Sequence, residues 1–178
     1  LAIGAHVADM RDFTMPRRYG LIVIGFNSFL HNLTQEDQLA TLERCRAHLL
    51  PGGRLHLIVF HPSARRLAAF DGSLVLAKEI PHAGGAGTVR MYDGITPNTV
   101  EQMNHVKRRV EIADPAGNVV ATHEHEFDLR FIYKHEMVLL LRTAGFRRVE
   151  IHPAPRANDP TPIDPGRLCG VLHRVPDH

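Results

Sequence analysis

Three changes of polarity pattern divide the chain. Leu21-Ile22-Val23-Ile24-Gly25 is a continuous apolar run, which predicts a central parallel strand covered on both faces rather than a half-exposed one. Thr34 then opens a helix. Asp37 stands three residues on, and Gln35-Glu36-Asp37 puts acid at the positive end of the helix dipole. Leu39, Leu42, Cys45 and Leu49 recur at spacings of three and four and predict one buried face. Pro51-Gly52-Gly53 predicts the stop and Arg54 to Phe60 the returning strand. Strand, helix and strand at this spacing predict a right-handed crossover. Upstream, Ala2 to Ala8 predicts a short strand, followed by an acidic-tipped turn from Asp9 to Phe13.

From Thr88 to Tyr133 the period falls to two, which predicts antiparallel strands. Asp114-Pro115-Ala116-Gly117-Asn118 is a turn signal between two of them. Pairing Ile112 with Val119 sets Val110 against Ala121, Arg108 against His123, Val106 against His125 and Asn104 against Phe127. The alternation agrees along most of that register and predicts a long hairpin, an appendage sheet on the α/β core. The helical period returns from Lys134 to Ala144, with Met137, Leu140, Leu141 and Ala144 on one face and Gly145 as the stop. Val149 to His152 predicts a strand. A proline-rich loop follows, and Leu168 to Val175 predicts the last strand. The expectation is one α/β domain over 1–178, with core segments 1–62 and 134–178 and an antiparallel insertion over 88–133.

Composition changes this picture little. A net charge of +2, with arginine pairs scattered among different elements, gives no electrostatic case for nucleic acid. No apolar run approaches the roughly 18 residues that cross a bilayer, and no signal peptide is visible, so no membrane partner and a cytoplasmic location are expected. Cys45 and Cys169 fit no metal spacing, and Cys45 on an apolar helix stripe predicts a buried reduced thiol. His123 and His125 lie two apart on one strand face. Their expected neighbours, Arg108 and Val106, argue against a cation, so they read as buried or lid-lining and no metal is expected.

Four stretches in order carry a family resemblance. Ala8-Asp9-Met10-Arg11-Asp12-Phe13 resembles the acidic turn after the third strand of class I S-adenosylmethionine-dependent methyltransferases. Tyr19 to Asn32 resembles that family's fourth strand and the loop behind it. Leu49-Leu50-Pro51-Gly52-Gly53-Arg54 resembles the entry to its fifth strand, and Glu136 to Phe146 the helix and turn before its sixth. The resemblance implies an incomplete Rossmann-like methyltransferase sheet with an inserted antiparallel hairpin, or lid, of the kind found in members that methylate small molecules. The family's glycine-rich loop after strand one, and the acid ending strand two, have no counterpart here. Tyr19 is followed by Gly20 where the family has Asp. Gly84-Gly85-Ala86-Gly87 reads as a flexible linker. A truncated form is therefore expected, with S-adenosylmethionine as cofactor and its binding by this chain alone left open.

By the same resemblance, Asp9 accepts from the adenine amino group and the Met10 backbone N–H meets a ring nitrogen; otherwise the turn is simply solvated. Phe26 and Asn27 fall at the carboxyl end of the fourth strand, where open parallel sheets bind ligands. Asn27 would touch cofactor or substrate, and Phe26 would do so or pack in the core. His31 is the candidate catalytic base, since methyl transfer to nitrogen or oxygen needs a placed nucleophile and a proton acceptor of near-neutral pKa. The alternative is a histidine capping the next helix or standing exposed. Tyr92 and Tyr133 would line a substrate pocket or pack at sheet edges. The leading expectation is a methyltransferase acting on a small-molecule N- or O-acceptor. A non-catalytic fragment working through dimerisation or partner binding is the alternative, and a histidine-lined ligand or metal module the third reading. Loss of two strands would bare the apolar edge of Leu21 to Ile24, which predicts a homodimer through that edge or an N-terminal strand moved beside it.

Overall fold

A computed structural model describes residues 3–83, 85, 87–153 and 167–173. In chain order the elements are β1 (Tyr19–Ile24), a 3-10 helix (Ser28–His31), α1 (Gln35–Ala47), β2 (Leu49–Phe60), α2 (Ala64–Ala68), β3 (Val75–Pro81), β4 (Thr88–Asn98), β5 (Met103–Ala113), β6 (Val119–Arg130), α3 (Lys134–Thr143), β7 (Arg148–Pro153) and β8 (Arg167–His173). They form two units, one of residues 1–62 with 131–178, the other of residues 63–130.

The first unit is α/β. Its sheet runs β1-β2-β8-β7, with β1 parallel to β2 and β8 antiparallel to both of its neighbours. The parallel pair is joined through α1, as the strand–helix–strand spacing predicts. Thr34 caps α1 by accepting from the Asp37 backbone N–H at 3.1 Å. The helix stops at His48, whose N–H donates to the Arg44 carbonyl, and not at Pro51-Gly52-Gly53. Those three residues lie inside β2, where the register to β1 slips between Tyr19↔Leu49 and Leu21↔Arg54. Gly53 is needed at the slip, because a Cβ there would sit 2.9 Å from the Leu50 carbonyl oxygen. Alternate residues of β2, Leu55, Leu57 and Val59, are buried, as are Leu42 and Cys45 of α1 and Met137 and Leu141 of α3. Burial pushes the Cys45 thiol up to about 12, as for a reduced core cysteine. At the end of α3 the Phe146 N–H donates to Leu141 and the Gly145 N–H to Arg142, a Schellman closure with Gly145 at φ 89°.

Three expectations are corrected in this unit. Residues 3–8 form no strand, so no N-terminal strand stands beside β1. With no second neighbour among the described residues, β1 is an edge strand, and Leu21 and Val23 are 57% and 55% exposed instead of covered. The buried face of α1 is Gln38, Thr41, Leu42 and Cys45, one step round from the leucine stripe, and two of its four members are polar. The proline-rich loop and the end of the expected last strand lie outside the described residues.

The second unit is antiparallel, ordered β3-β4-β5-β6. The hairpin exists, but its register differs by two. Ile112 pairs with Ala121, Val110 with His123, Arg108 with His125, Val106 with Phe127 and Asn104 with Leu129. The turn closes tighter than expected: Asn118 donates its backbone N–H to Asp114 Oδ1, Ala113 pairs with Val119, and a bulge beside Ile112 absorbs the difference. A slip of two preserves which face each side chain occupies, which is why the alternation alone did not expose it. The sheet also gains β3, whose residues are all exposed and carry no period-two signal. Part of the glycine segment 84–87 lies outside the described residues.

Candidate functional site

Parallel strands present their carboxyl ends on one edge, and there β1 and β2 gather most of the chemistry of the α/β unit. β1 ends at Ile24, and the chain leaves it through two successive left-handed residues, Phe26 at φ 53° and Asn27 at φ 64°. Asparagine tolerates that conformation, whereas a phenylalanine in it is strained. The Phe26 side chain is 100% exposed, so packing in the core is ruled out for it. The Asn27 N–H donates to the Ile58 carbonyl at 3.3 Å, tying the loop to the end of β2. Phe29 and Leu30 are buried and anchor the 3-10 helix, while His31, its last residue, is exposed. Just beyond β2, the His61 ring meets the Tyr133 ring edge-on at 5.8 Å, and Phe131 meets Tyr133 at 5.7 Å. Tyr133 stands at the N-cap of α3 and remains 40% exposed. His61 was not singled out from the sequence, where it is only the residue after an apolar strand.

The Asp9 turn forms as expected. The Asp12 and Phe13 N–H groups donate to the Asp9 carbonyl. Both Asp9 carboxylate oxygens accept from Arg11, through its backbone N–H at 2.9 Å, Nε at 3.0 and 3.1 Å, and Nη2 at 2.6 Å. Those bonds hold the Asp9 carboxyl down to about 2, so it is an anion at neutral pH. Arg11 also donates Nη1 to Asp37 at 3.0 Å, tying the turn to the first turn of α1.

Behind the turn lies a polar cluster that the sequence did not reveal. Asn32, 3% exposed, donates Nδ2 to the Phe29 carbonyl at 3.0 Å and to Met10 Sδ at 3.3 Å. Its Oδ1 accepts from Thr41 Oγ1 at 3.1 Å, and its carbonyl from Gln38 Nε2 at 3.3 Å. The available signal was Gln38 and Thr41 sharing the i, i+3, i+4, i+7 stripe with Leu42 and Cys45. Further along, His48 Nε2 accepts from the Met15 N–H at 3.1 Å while Nδ1 faces the Arg44 carbonyl at 2.9 Å. That pattern requires a neutral ring with its proton on Nδ1.

In the antiparallel unit, Tyr92 is half-buried on β4, between Leu76 of β3 and Arg109 of β5. It belongs to a different unit from the other candidates. His123 and His125 are exposed on one face of β6, with Val110 and Arg108 opposite. Arg108 is held by Asp93 through two bonds of 2.7 and 2.8 Å and stacks over Phe127 at 5.3 Å. Among the described residues no three His, Cys, Asp or Glu side chains are grouped to hold a metal ion. A shallow groove of about 320 Å³ is lined by Thr96, Asn98, Met103, His105 and Asp128, and includes none of the residues singled out from the sequence. No helix among the described residues is long and apolar enough to cross a membrane.

No family model matches the chain. Over 48 residues, 27% of this chain and 19% of the relative, it is 44% identical to a dTDP-3-amino-3,6-dideoxy-alpha-D-glucopyranose N,N-dimethyltransferase of Streptomyces fradiae. Among solved structures it is similar to an S-adenosylmethionine-dependent methyltransferase from Clostridium acetobutylicum, with TM-score 0.73 and 12% identity, covering 96% of this chain and 64% of that one. It is likewise similar to an amino pentose methyltransferase from Micromonospora echinaspora, solved with S-adenosylmethionine bound, with TM-score 0.66 and 20% identity over 94% and 63%. The chain therefore has the fold of the S-adenosylmethionine-dependent methyltransferases: a parallel pair within a mixed sheet, and a separate antiparallel sheet. It spans less than two thirds of the length of each of these proteins.

Proposed function

We propose that the chain works as an S-adenosylmethionine-dependent methyltransferase on a small molecule, with the nitrogen of an amino sugar as the acceptor class. The observation that carries this reading is the edge where β1 and β2 end. There a strained, fully exposed Phe26 and an exposed His31 stand on a loop pinned by buried Phe29 and Leu30. Backbone strain retained on an exposed side chain is a mark of a binding site, and this edge is where open α/β sheets bind ligands. The names of the relatives supply the acceptor class.

In this reading Asp9, Met10, Phe26 and Asn27 are the residues that contact the cofactor. Asp9 is an anion whose carboxylate, now bonded to Arg11, would be shared with the exocyclic amine; Met10 contributes its backbone, and Phe26 offers an exposed aromatic face next to Asn27 in the loop after β1. When bound, S-adenosylmethionine supplies an electrophilic methyl group on a sulfonium that is already a good leaving group. The protein's share is then positional: hold the acceptor amine in line, exclude water, and accept its proton. His31 takes that proton, and Tyr133, edge-on to His61, serves the acceptor. The proposed site of action is the cytoplasm.

Calorimetric titration with S-adenosylmethionine and S-adenosylhomocysteine tests the reading. Stoichiometric micromolar binding supports it, and no binding at millimolar ligand refutes it for this chain. One observation favours a second reading, a non-catalytic homodimer: the β1 edge, unpaired among the described residues, with exposed Leu21 and Val23. Sedimentation of a monomer at all concentrations would remove it.

A further inference from the structure

We infer that Asn32 is a positioning residue that couples the Asp9–Met10 turn to the loop carrying His31. The inference rests on the function proposed above for those two segments, but the coupling is a property of the structure that can be measured without it.

Three separate stretches of chain meet at this one side chain. The turn enters through Met10 Sδ, the 3-10 helix through the Phe29 carbonyl, and α1 through Thr41 Oγ1, at 3.3, 3.0 and 3.1 Å. The orientation of the amide is fixed by chemistry. Met10 sulfur and the Phe29 carbonyl carry no proton, so both must face the NH2 group, and the oxygen is left for the Thr41 hydroxyl. The Asn32 backbone is held as well, since its N–H donates to Phe29 and its carbonyl accepts from Gln38 Nε2. His31 is the residue immediately before it in the chain. Its backbone direction is therefore set by an amide whose other bonds end on the turn and on the helix.

The cluster is sealed from water. Asn32, Gln38 and Thr41 are 3%, 0% and 0% exposed, so water does not substitute freely for a lost partner. Gln38 Oε1 is buried with no partner among the described residues, so Gln38 does not tie the turn in a second way. The outer tie, Arg11 between Asp9 and Asp37, is exposed and screened. Asn32 provides a buried link that joins the turn to the loop directly.

The test uses the whole chain with methyl-labelled methionine and imidazole resonances as readouts. Asn32→Asp keeps the shape and the acceptor for Thr41 but replaces the donor that faces Met10 and Phe29 with an oxygen. Expected are joint shifts of the Met10 methyl and His31 ring signals, with Met91 and Met103 of the antiparallel unit unchanged as controls. S-adenosylhomocysteine binding should weaken by roughly fivefold, the scale of one lost hydrogen bond. If Asn32→Asp fails to fold, Thr41→Val removes the hydroxyl that holds Oδ1 and should shift both signals in the same sense, and Thr41→Ser should restore them. A variant that moves Met10 and leaves His31 in place, or moves neither, overturns the inference. Absence of binding by the unaltered chain would refute the proposed function alone, because the methyl and imidazole signals still decide the coupling.

Discussion

Phe26 offers the sharpest test of whether the β1–β2 edge is a functional site, because stability and binding should respond to it in opposite directions. Its φ of 53° lies in the left-handed region, and its side chain is fully exposed. Replacing it with glycine relieves a conformational cost of about 1–2 kcal/mol. The same change adds freedom to the unfolded chain, which offsets about 0.4–1 kcal/mol of that gain. No apolar transfer term is lost, since the ring buries nothing in the folded chain. Phe26→Gly should therefore stabilise the protein by roughly 0.5–1 kcal/mol, or about 1–4 °C for a chain of this size. A phenylalanine packed in the core would instead cost about 3–5 kcal/mol on truncation, so the sign alone separates the two pictures. Phe26→Ala removes the ring but keeps the strain, and should leave stability near its starting value.

Urea unfolding at constant m-value reads the stability change, and calorimetry with S-adenosylhomocysteine reads the binding change. Both substitutions should weaken binding by about tenfold, the lower range for loss of one aromatic stacking partner of a base. The reasoning fails if Phe26→Gly destabilises by more than about 1 kcal/mol, which would place the ring in a packed environment. It fails also if the protein is stabilised and binding is untouched, for the strain would then have no functional counterpart.

The Asp9–Arg11 pairing predicts a particular acid sensitivity. The Asp9 carboxyl titrates at about 2 in the folded chain against an ordinary 3.8, so its contribution to stability is complete above pH 4 and disappears as the pH falls towards 2. Thermal unfolding of Asp9→Asn should lie below the unaltered chain by a constant interval from pH 7 to 5, closing between pH 4 and 2; an interval that persists at pH 2 would show that the charge is not responsible. His31→Gln should lower methyl transfer to an amino-sugar acceptor by about a hundredfold, the lower range for a lost general base, with S-adenosylhomocysteine affinity unchanged. Equal transfer rates would remove His31 from the chemistry.

The legible parts of this fold were those where one physical signal acts alone. The Thr34 cap and the Gly145 stop formed at the residues that predicted them, because cap and closure bonds are local, and a strand formed at the apolar run of β1, though not the cover expected for it. Lost elements had competing or absent signals. The β5–β6 register moved by two because the Asp114 turn closes through a side-chain bond and a bulge, and alternation has no power to distinguish registers of equal parity. β3 has no buried face to impress a period on its sequence.

The inward face of α1 is the instructive failure. A leucine count favours Leu39, Leu42, Cys45 and Leu49, yet the buried stripe runs through Gln38 and Thr41. Those two residues break the rule that cores are apolar, and the departure acquires a reason only when Asn32 is placed against them from the end of the 3-10 helix. A buried polar cluster costs stability that leucines at the same positions would not, so its persistence calls for a compensating gain. Among the described residues that gain is geometric. The cluster joins the Met10 turn, the His31 loop and α1 at one point, whereas an apolar cluster would pack without fixing the direction of any of them.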